Sequence, residues 1–264
     1  MESRAAPAQA DSLSRGASPS CPVPKRRIAI ILLKDESGFA ANAFGKVNDL
    51  GRQAGDLLAL HLGKSGEFIV LHGRDRVPPQ AAYALISGSV VELDARIDSS
   101  EAGEYPAGIR KAHAKVAINM VDPVNGAILF SDSDEADTRK APLPDTASGA
   151  LEVAIVKLAA RLAATLRSRP WRARILEVSQ GKVVIGAGTR AGIMPGQELR
   201  IVRPGRQVKE PTSGVILELP GEEVGRIKVV SQFGTGEWDE GSECTILSGK
   251  GFARTDYVSL EEGL

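Results

Sequence analysis

Chemistry in this 264-residue chain would have to start from three histidines, two cysteines, a glycine-rich run and an acidic run. His61, His72 and His113 lack the spacing that puts two imidazoles on one helical face, so no metal role is expected of them. His61 reads as a surface helix residue and His113 as a strand end. Asp132-Ser133-Asp134-Glu135 is acidic but lacks the alternating acids, glycine and terminal glutamate of a calcium loop. It reads as a solvated acidic loop. The run GAGTRAG, Gly186–Gly192, mimics a dinucleotide fingerprint. That mechanism needs a helix after the glycines, with its N-terminus facing the pyrophosphate. The flanking residues alternate as strands do, so the run reads as a glycine-rich β turn. Ser87-Gly88-Ser89 is neither a nucleophile elbow nor a phosphate loop. Cys21 and Cys244 are too few for a disulfide framework and have no metal-type spacing. They read as an exposed thiol in a tail and a small buried side chain, with a bridge between them left open. Trp171 and Trp238 read as packing residues, Trp171 at a meeting of domains. No catalytic, cofactor-binding or metal-binding residue is expected, and the chain does not read as an enzyme.

With so little chemistry, the elements themselves carry the reading. Apolar residues make up 42% of the chain and aromatic ones 4%, so the core must be built from Val, Ile, Leu and Ala. Basic and acidic residues number 33 each, and no basic face is advertised, which argues against nucleic acid as a partner. The length allows two ordinary domains. Residues 1–24 are rich in Ser, Ala, Pro and Gly and read as a disordered tail. They contain no apolar segment of a signal peptide, and no stretch is long enough to span a membrane as a helix.

Residues 25–169 read as an α/β domain. Ile28–Leu33 is a continuous apolar strand, suited to burial on both faces, with Lys25-Arg26-Arg27 as a solvated basic edge. Phe44–Leu62 has apolar residues at helical spacing, and Gly51 and Gly55 within it point to close packing against a neighbour. Phe68–Leu71, Tyr83–Asp94, His113–Val121 and Ala127–Ser131 follow as strands. Gly88 suggests a bulge or close approach, and the Asn125-Gly126 turn joins the last two strands. Asp132–Asp145 reads as an acidic and then Pro-rich loop. Ser148–Ser168 reads as a long helix ended by Pro170. Both helices are expected on one face of a mixed sheet, and the domain boundary is expected at Arg169–Trp171.

Residues 171–264 read as a small β barrel or compact sandwich. Arg174–Val178 and Lys182–Ile185 form a hairpin around Gln180-Gly181, with Gln197–Val202, Val215–Leu219 and Val224–Val230 as further strands. Cys244 lies in a strand-like run, SECTILS. The fold class expected overall is α+β.

Two resemblances attach to these stretches. GKVVIGAGTRAGIMPGQELRIVR, KEPTSGVILE and EEVGRIKVV resemble the C-terminal module of the flagellar H-ring protein FlgT. The turns Gly192-Ile193-Met194-Pro195-Gly196 and Pro211-Thr212-Ser213-Gly214 match best. RRIAIILLKDESG, LISGSVVEL and VDPVNGAILFSDS resemble the CsgG-type domain of curli production and transport, which is related to the TolB N-terminal domain. Ile86-Ser87-Gly88 and Asp122, Gly126, Ala127 and Ile128 occupy the places of that family's strand and hairpin motif. The resemblance implies a non-enzymatic role in bacterial envelope assembly or secretion, exercised by protein–protein contact. It implies a periplasmic or outer-membrane-associated location, envelope proteins as partners, and self-association into a ring. The alternative is an envelope regulator that activates a cell-wall synthase, as LpoB does. A membrane pore is not expected. Its strands would need alternating apolar residues, which Phe39–Phe44, Arg96–Arg110 and Asp132–Asp145 do not supply.

Overall fold

A computed structural model of the chain describes residues 23–38, 50–72, 82–98, 109–123, 125–139, 143–209 and 216–260. Cys21, the tail up to residue 22, Phe39–Phe44 and the Pro211–Gly214 turn lie outside these residues. The chain opens with β1 (Arg26–Asp35), α1 (Leu50–Lys64) and β2 (Phe68–Leu71), in which β1 and β2 run parallel. A meander follows: β3 (Ala84–Asp98), β4 (Ile109–Val121) and β5 (Ile128–Arg139), each antiparallel to the last. β3 also pairs parallel with β1, so the sheet order is β2-β1-β3-β4-β5. Then comes α2 (Leu143–Arg167). Both helices lie on the same face, as expected, and bury Leu58, Leu62, Leu151, Ile155, Leu158, Leu162 and Leu166 against Ile28, Ile86, Val116, Ile118 and Met120. Each such side chain contributes roughly 1.5–3 kcal/mol of burial.

The helix glycines do what their spacing suggests. A Cβ on Gly51 would lie 2.0 Å from the Leu33 carbonyl oxygen, so α1 approaches the β1 backbone as only glycine permits. At Gly88 a Cβ would lie 2.2 Å from the Ala117 carbonyl oxygen, which makes Gly88 a close approach to β4. The bulge in β3 falls later, between Val90 and Glu92.

Three expectations in this domain need correction. β5 continues to Arg139, through the stretch read as an acidic loop. Its acids are tolerated because Asp132 and Asp134 reach the cations Arg161 and Lys157 of α2, while Asp137 lies 3.2 Å from the His113 ring on the exposed face. α2 begins at Leu143 rather than Ser148, because Pro144 lies in the first turn, where a missing N–H costs nothing. His113 is in the middle of β4, opposite Asp94 and Asp137, and is not a strand end.

Beyond Pro170 the chain forms β6 (Arg172–Ser179), β7 (Lys182–Ile185), β8 (Glu198–Arg203), β9 (Gln207–Lys209), β10 (Ile216–Glu218), β11 (Glu222–Phe233), β12 (Gly241–Gly249) and β13 (Tyr257–Ser259). Six of these strands close a barrel in the order β11-β12-β7-β6-β13-β8. Gly181, at φ +77°, makes the β6–β7 turn, and Gly192 and Gly196, both at +87°, shape the connection to β8. The strand expected at Val215–Leu219 is not a barrel stave. Among the described residues it is β10, which pairs with β9 in a two-stranded sheet outside the barrel. β13 had no sequence signal, since three residues are too few to show a period.

Candidate functional site: the seam and the β5 edge

The seam between sheet and barrel is built on the face of β1 and β2 opposite the helices. Ala29, Ile69, Leu71 and Ala82 join Trp171, Ala173, Ala187, Ala191 and Ile193 in one buried cluster. Small residues on both sides let the backbones come close around Trp171. Its indole N–H donates to the Lys25 carbonyl at 3.2 Å, and Ser259 Oγ donates to the Trp171 carbonyl at 2.9 Å. Trp171 therefore stands where the domains meet, and Trp238 packs against the same cluster.

The basic triplet at the start of β1 is a further correction to the sequence reading. Arg26 and Arg27 are buried, not a solvated edge. Arg27 Nη2 lies 3.0 Å from Glu240 Oε1, with the two side chains 9% and 1% exposed. Glu240 Oε2 accepts the Arg190 backbone N–H at 2.8 Å, so both carboxylate oxygens are engaged. Arg26 donates to the Arg169 carbonyl just beyond α2, and burial pulls its guanidinium below the usual arginine value. A third tie comes from Arg174, which donates to the Ala82 carbonyl at 3.2 Å and to Asp122 Oδ1 at 3.0 Å. Beside it opens a cleft of about 240 Å³ whose wall includes Tyr83, Asn125, Arg172 and Tyr257. The Arg172 guanidinium stacks 4.1 Å from the Tyr257 ring centroid. The Arg27–Glu240 pair spans 213 positions of sequence, and no local pattern marks either partner.

The residues weighed for chemistry are scattered over other surfaces. His61 meets Glu152 across the helices at 3.3 Å, and His72 meets Asp56 at 2.8 Å. His113 contacts Asp137 at 3.2 Å and Glu92 at 3.7 Å on the open face of the sheet. Among the described residues no group of three His, Cys, Asp or Glu could hold a metal ion. Gly186–Gly192 is a turn region with no helix after it. Cys244 is buried in β12 and free, and burial pushes its thiol up to about 12. No helix among the described residues is long and apolar enough to cross a membrane.

The acidic run on β5 is occupied by the helix layer. Arg161 Nε lies 2.6 Å from Asp132 Oδ2, its Nη1 binds Asp134, and Lys157 Nζ lies 3.2 Å from Asp134 Oδ1. Burial pushes the Asp134 carboxyl up, but hydrogen bonds from Arg161 and Lys157 outweigh it and hold the group below the usual carboxylate range. Cationic side chains thus stand where a calcium ion would have to sit.

Comparison with known proteins adds a partial likeness. Neither a protein-family model nor a curated protein matches the chain, so no CsgG-type or FlgT-type model accompanies the sequence resemblance. Solved structures do match. The PelC dodecamer from Paraburkholderia phytofirmans is 16% identical at a TM-score of 0.36, over 50% of this chain and 87% of that one. A lipoprotein from Neisseria meningitidis is 16% identical at 0.33, over 53% of this chain and 99% of that one. A minor lipoprotein from Acinetobacter baumannii is 9% identical at 0.30, over 54% and 93%.

Proposed function

We propose that this chain is a non-enzymatic accessory of bacterial envelope assembly or secretion that acts by protein–protein contact. In this reading it is periplasmic or associated with the outer membrane. It serves as a ring subunit or adaptor, in the manner of FlgT rather than of the curli channel. The observation that carries the proposal is the seam. A buried ion pair, a buried indole and a cluster of small side chains fix the barrel to one end of the sheet. That construction spends its buried polar groups on rigidity between domains. It leaves the β3–β5 face and the β5 edge as solvated surface on a fixed frame.

Fractionation of cells carrying a tagged chromosomal copy tests the location. Recovery with the periplasm or outer membrane is expected, and recovery in the cytosol alone overturns the reading. Size-exclusion chromatography with light scattering then separates the two modes of action, a large ring for a subunit and a monomer for an adaptor. Purified protein added to a planar bilayer should give no stepwise conductance. Reproducible unitary steps from homogeneous protein would overturn the adaptor or ring assignment in favour of a channel.

A further inference from the structure

β5 is the last strand of the five-stranded sheet, and among the described residues no strand lies beside one of its edges. Such an edge presents unpaired N–H and C=O groups at every second residue. Here those groups are engaged by side chains of the helix layer. The carbonyl of Ser133 accepts from Arg161 Nη2 at 3.3 Å, that of Glu135 from Lys157 Nζ at 3.1 Å, and that of Leu129 from Arg169 Nη2 at 3.4 Å. The carbonyls of Ser133 and Glu135 are two residues apart, the period of groups that point away from β4, while Leu129 lies at the register shift of β5 and outside that alternation. The Ser133 N–H donates to Asp132 Oδ1 at 2.8 Å, so both outward groups of Ser133 are taken. Arg161 also holds Asp132 and Asp134, which links carboxylates and strand edge into one clasp.

We propose that the β5 edge is a strand-addition site held shut by Arg161 and Lys157, and that it takes an extended polypeptide carrying lysine or arginine at alternate positions. The occupant follows from charge. Asp132 and Asp134 face the helix side of β5, while Glu135 and Asp137 face the open side. An incoming basic strand supplies cations to Asp132 and Asp134 in place of Arg161 and Lys157, and backbone N–H groups to the carbonyls of Ser133 and Glu135. A second copy of this chain is the wrong partner, because two antiparallel β5 edges set acid against acid. The clasp is displaceable from its cation side: Arg161 is 42% exposed and Lys157 49% exposed, so water can take up either cation, while Asp134 at 14% exposed needs the incoming strand to supply another. This inference deepens the contact reading and rests on it for its use in the cell.

The test uses the full chain and a short synthetic peptide of alternating lysine and threonine, with binding read by fluorescence anisotropy. Arg161→Ala should bind the peptide at least about tenfold more tightly than wild type. Removing a cation also raises attraction for any basic peptide, so a second peptide is needed. Methylation of the backbone nitrogens on one edge keeps the charge and removes the donors. The methylated peptide should lose the gain. Equal binding of both peptides overturns strand addition and leaves only charge attraction. No gain in Arg161→Ala or in Lys157→Ala overturns the clasp, the second variant covering the case in which the first does not fold. Dimerisation of Arg161→Ala by light scattering, without peptide binding, overturns the choice of occupant. None of these results alters the fractionation outcome, so the edge site can fail while the envelope reading stands.

Discussion

The two ends of the sheet are built to different rules. At the β1–β2 end both faces are covered. Ile28, Ile30 and Phe68 lie under the helices, while Ala29, Ile69 and Leu71 lie under the barrel. Along β3–β5 beyond Leu85, among the described residues, the helix face is the covered one. Ile86, Val90, Val116, Ile118 and Met120 point inward, and Ser87, Asn119, Ser131 and Glu135 stand on the other side. The number of layers sets the pattern: two give a continuous apolar run, one gives alternation. The two covers also differ in kind. The helix layer contacts the sheet through large aliphatic side chains. The seam adds alanines, Trp171 and a buried ion pair to its aliphatic side chains, so it is less forgiving of an unpaired charge.

The largest effect should come from the helix layer. Leu158 is fully buried in α2 against the sheet. Leu158→Asp removes its packing and places an uncompensated carboxylate there, which should cost above about 4 kcal/mol. Urea unfolding followed by circular dichroism measures this. Wild-type stability in the variant would show that α2 is not docked as described.

The seam should come next. Glu240→Ala leaves Arg27 buried without its carboxylate, at a cost of about 3 kcal/mol. The paired replacement Arg27→Met with Glu240→Leu should recover most of that loss, since both charges go together. A double variant no better than the single one would mean that the pair does more than offset its own burial. Limited proteolysis reports on the same seam. Wild type should yield two stable fragments cut near Arg169–Trp171, and Glu240→Ala should be cut there faster. Dominant cleavage between Lys182 and Val202 would count against that boundary.

Local signals made much of the fold legible. The run at Ile28, the helical spacing through Leu151 and Leu166, and the turn at Gln180-Gly181 each express a neighbour relation within a few residues. β5 reads short in the sequence because Asp132, Asp134 and Asp137 look like loop residues until Arg161, Lys157 and His113 are beside them. Val215–Leu219 looked like a stave because a strand's composition does not say which sheet it joins. The seam was less legible than either domain. Trp171, just after the helix stop at Pro170, reads as a packing residue between domains, whereas Arg27 carries no mark of burial. Its partner lies in the last third of the chain, and charge alone reads as surface. The clasp on the β5 edge was hidden for the same reason: its meaning depends on a carbonyl direction that sequence does not carry.

The smallest effects should separate covered from open surface with one residue type. Ser242 and Ser131 each donate a side-chain hydrogen bond of 2.7 Å, to the Ala187 carbonyl and to Asn119 Oδ1 respectively. Ser242 is fully buried at the barrel end near the seam, whereas Ser131 is exposed on the open face of β5. Ser242→Ala strands a buried carbonyl and should cost about 1–2 kcal/mol. Ser131→Ala exposes Asn119 to water, which replaces the lost partner, and should change stability by less than about 0.5 kcal/mol. Paired urea titrations at one pH compare the two at equal slope. A loss in Ser131→Ala that matches Ser242→Ala would mean that something covers the β3–β5 face in solution. The distinction between the two ends of the sheet would then fail for the isolated protein.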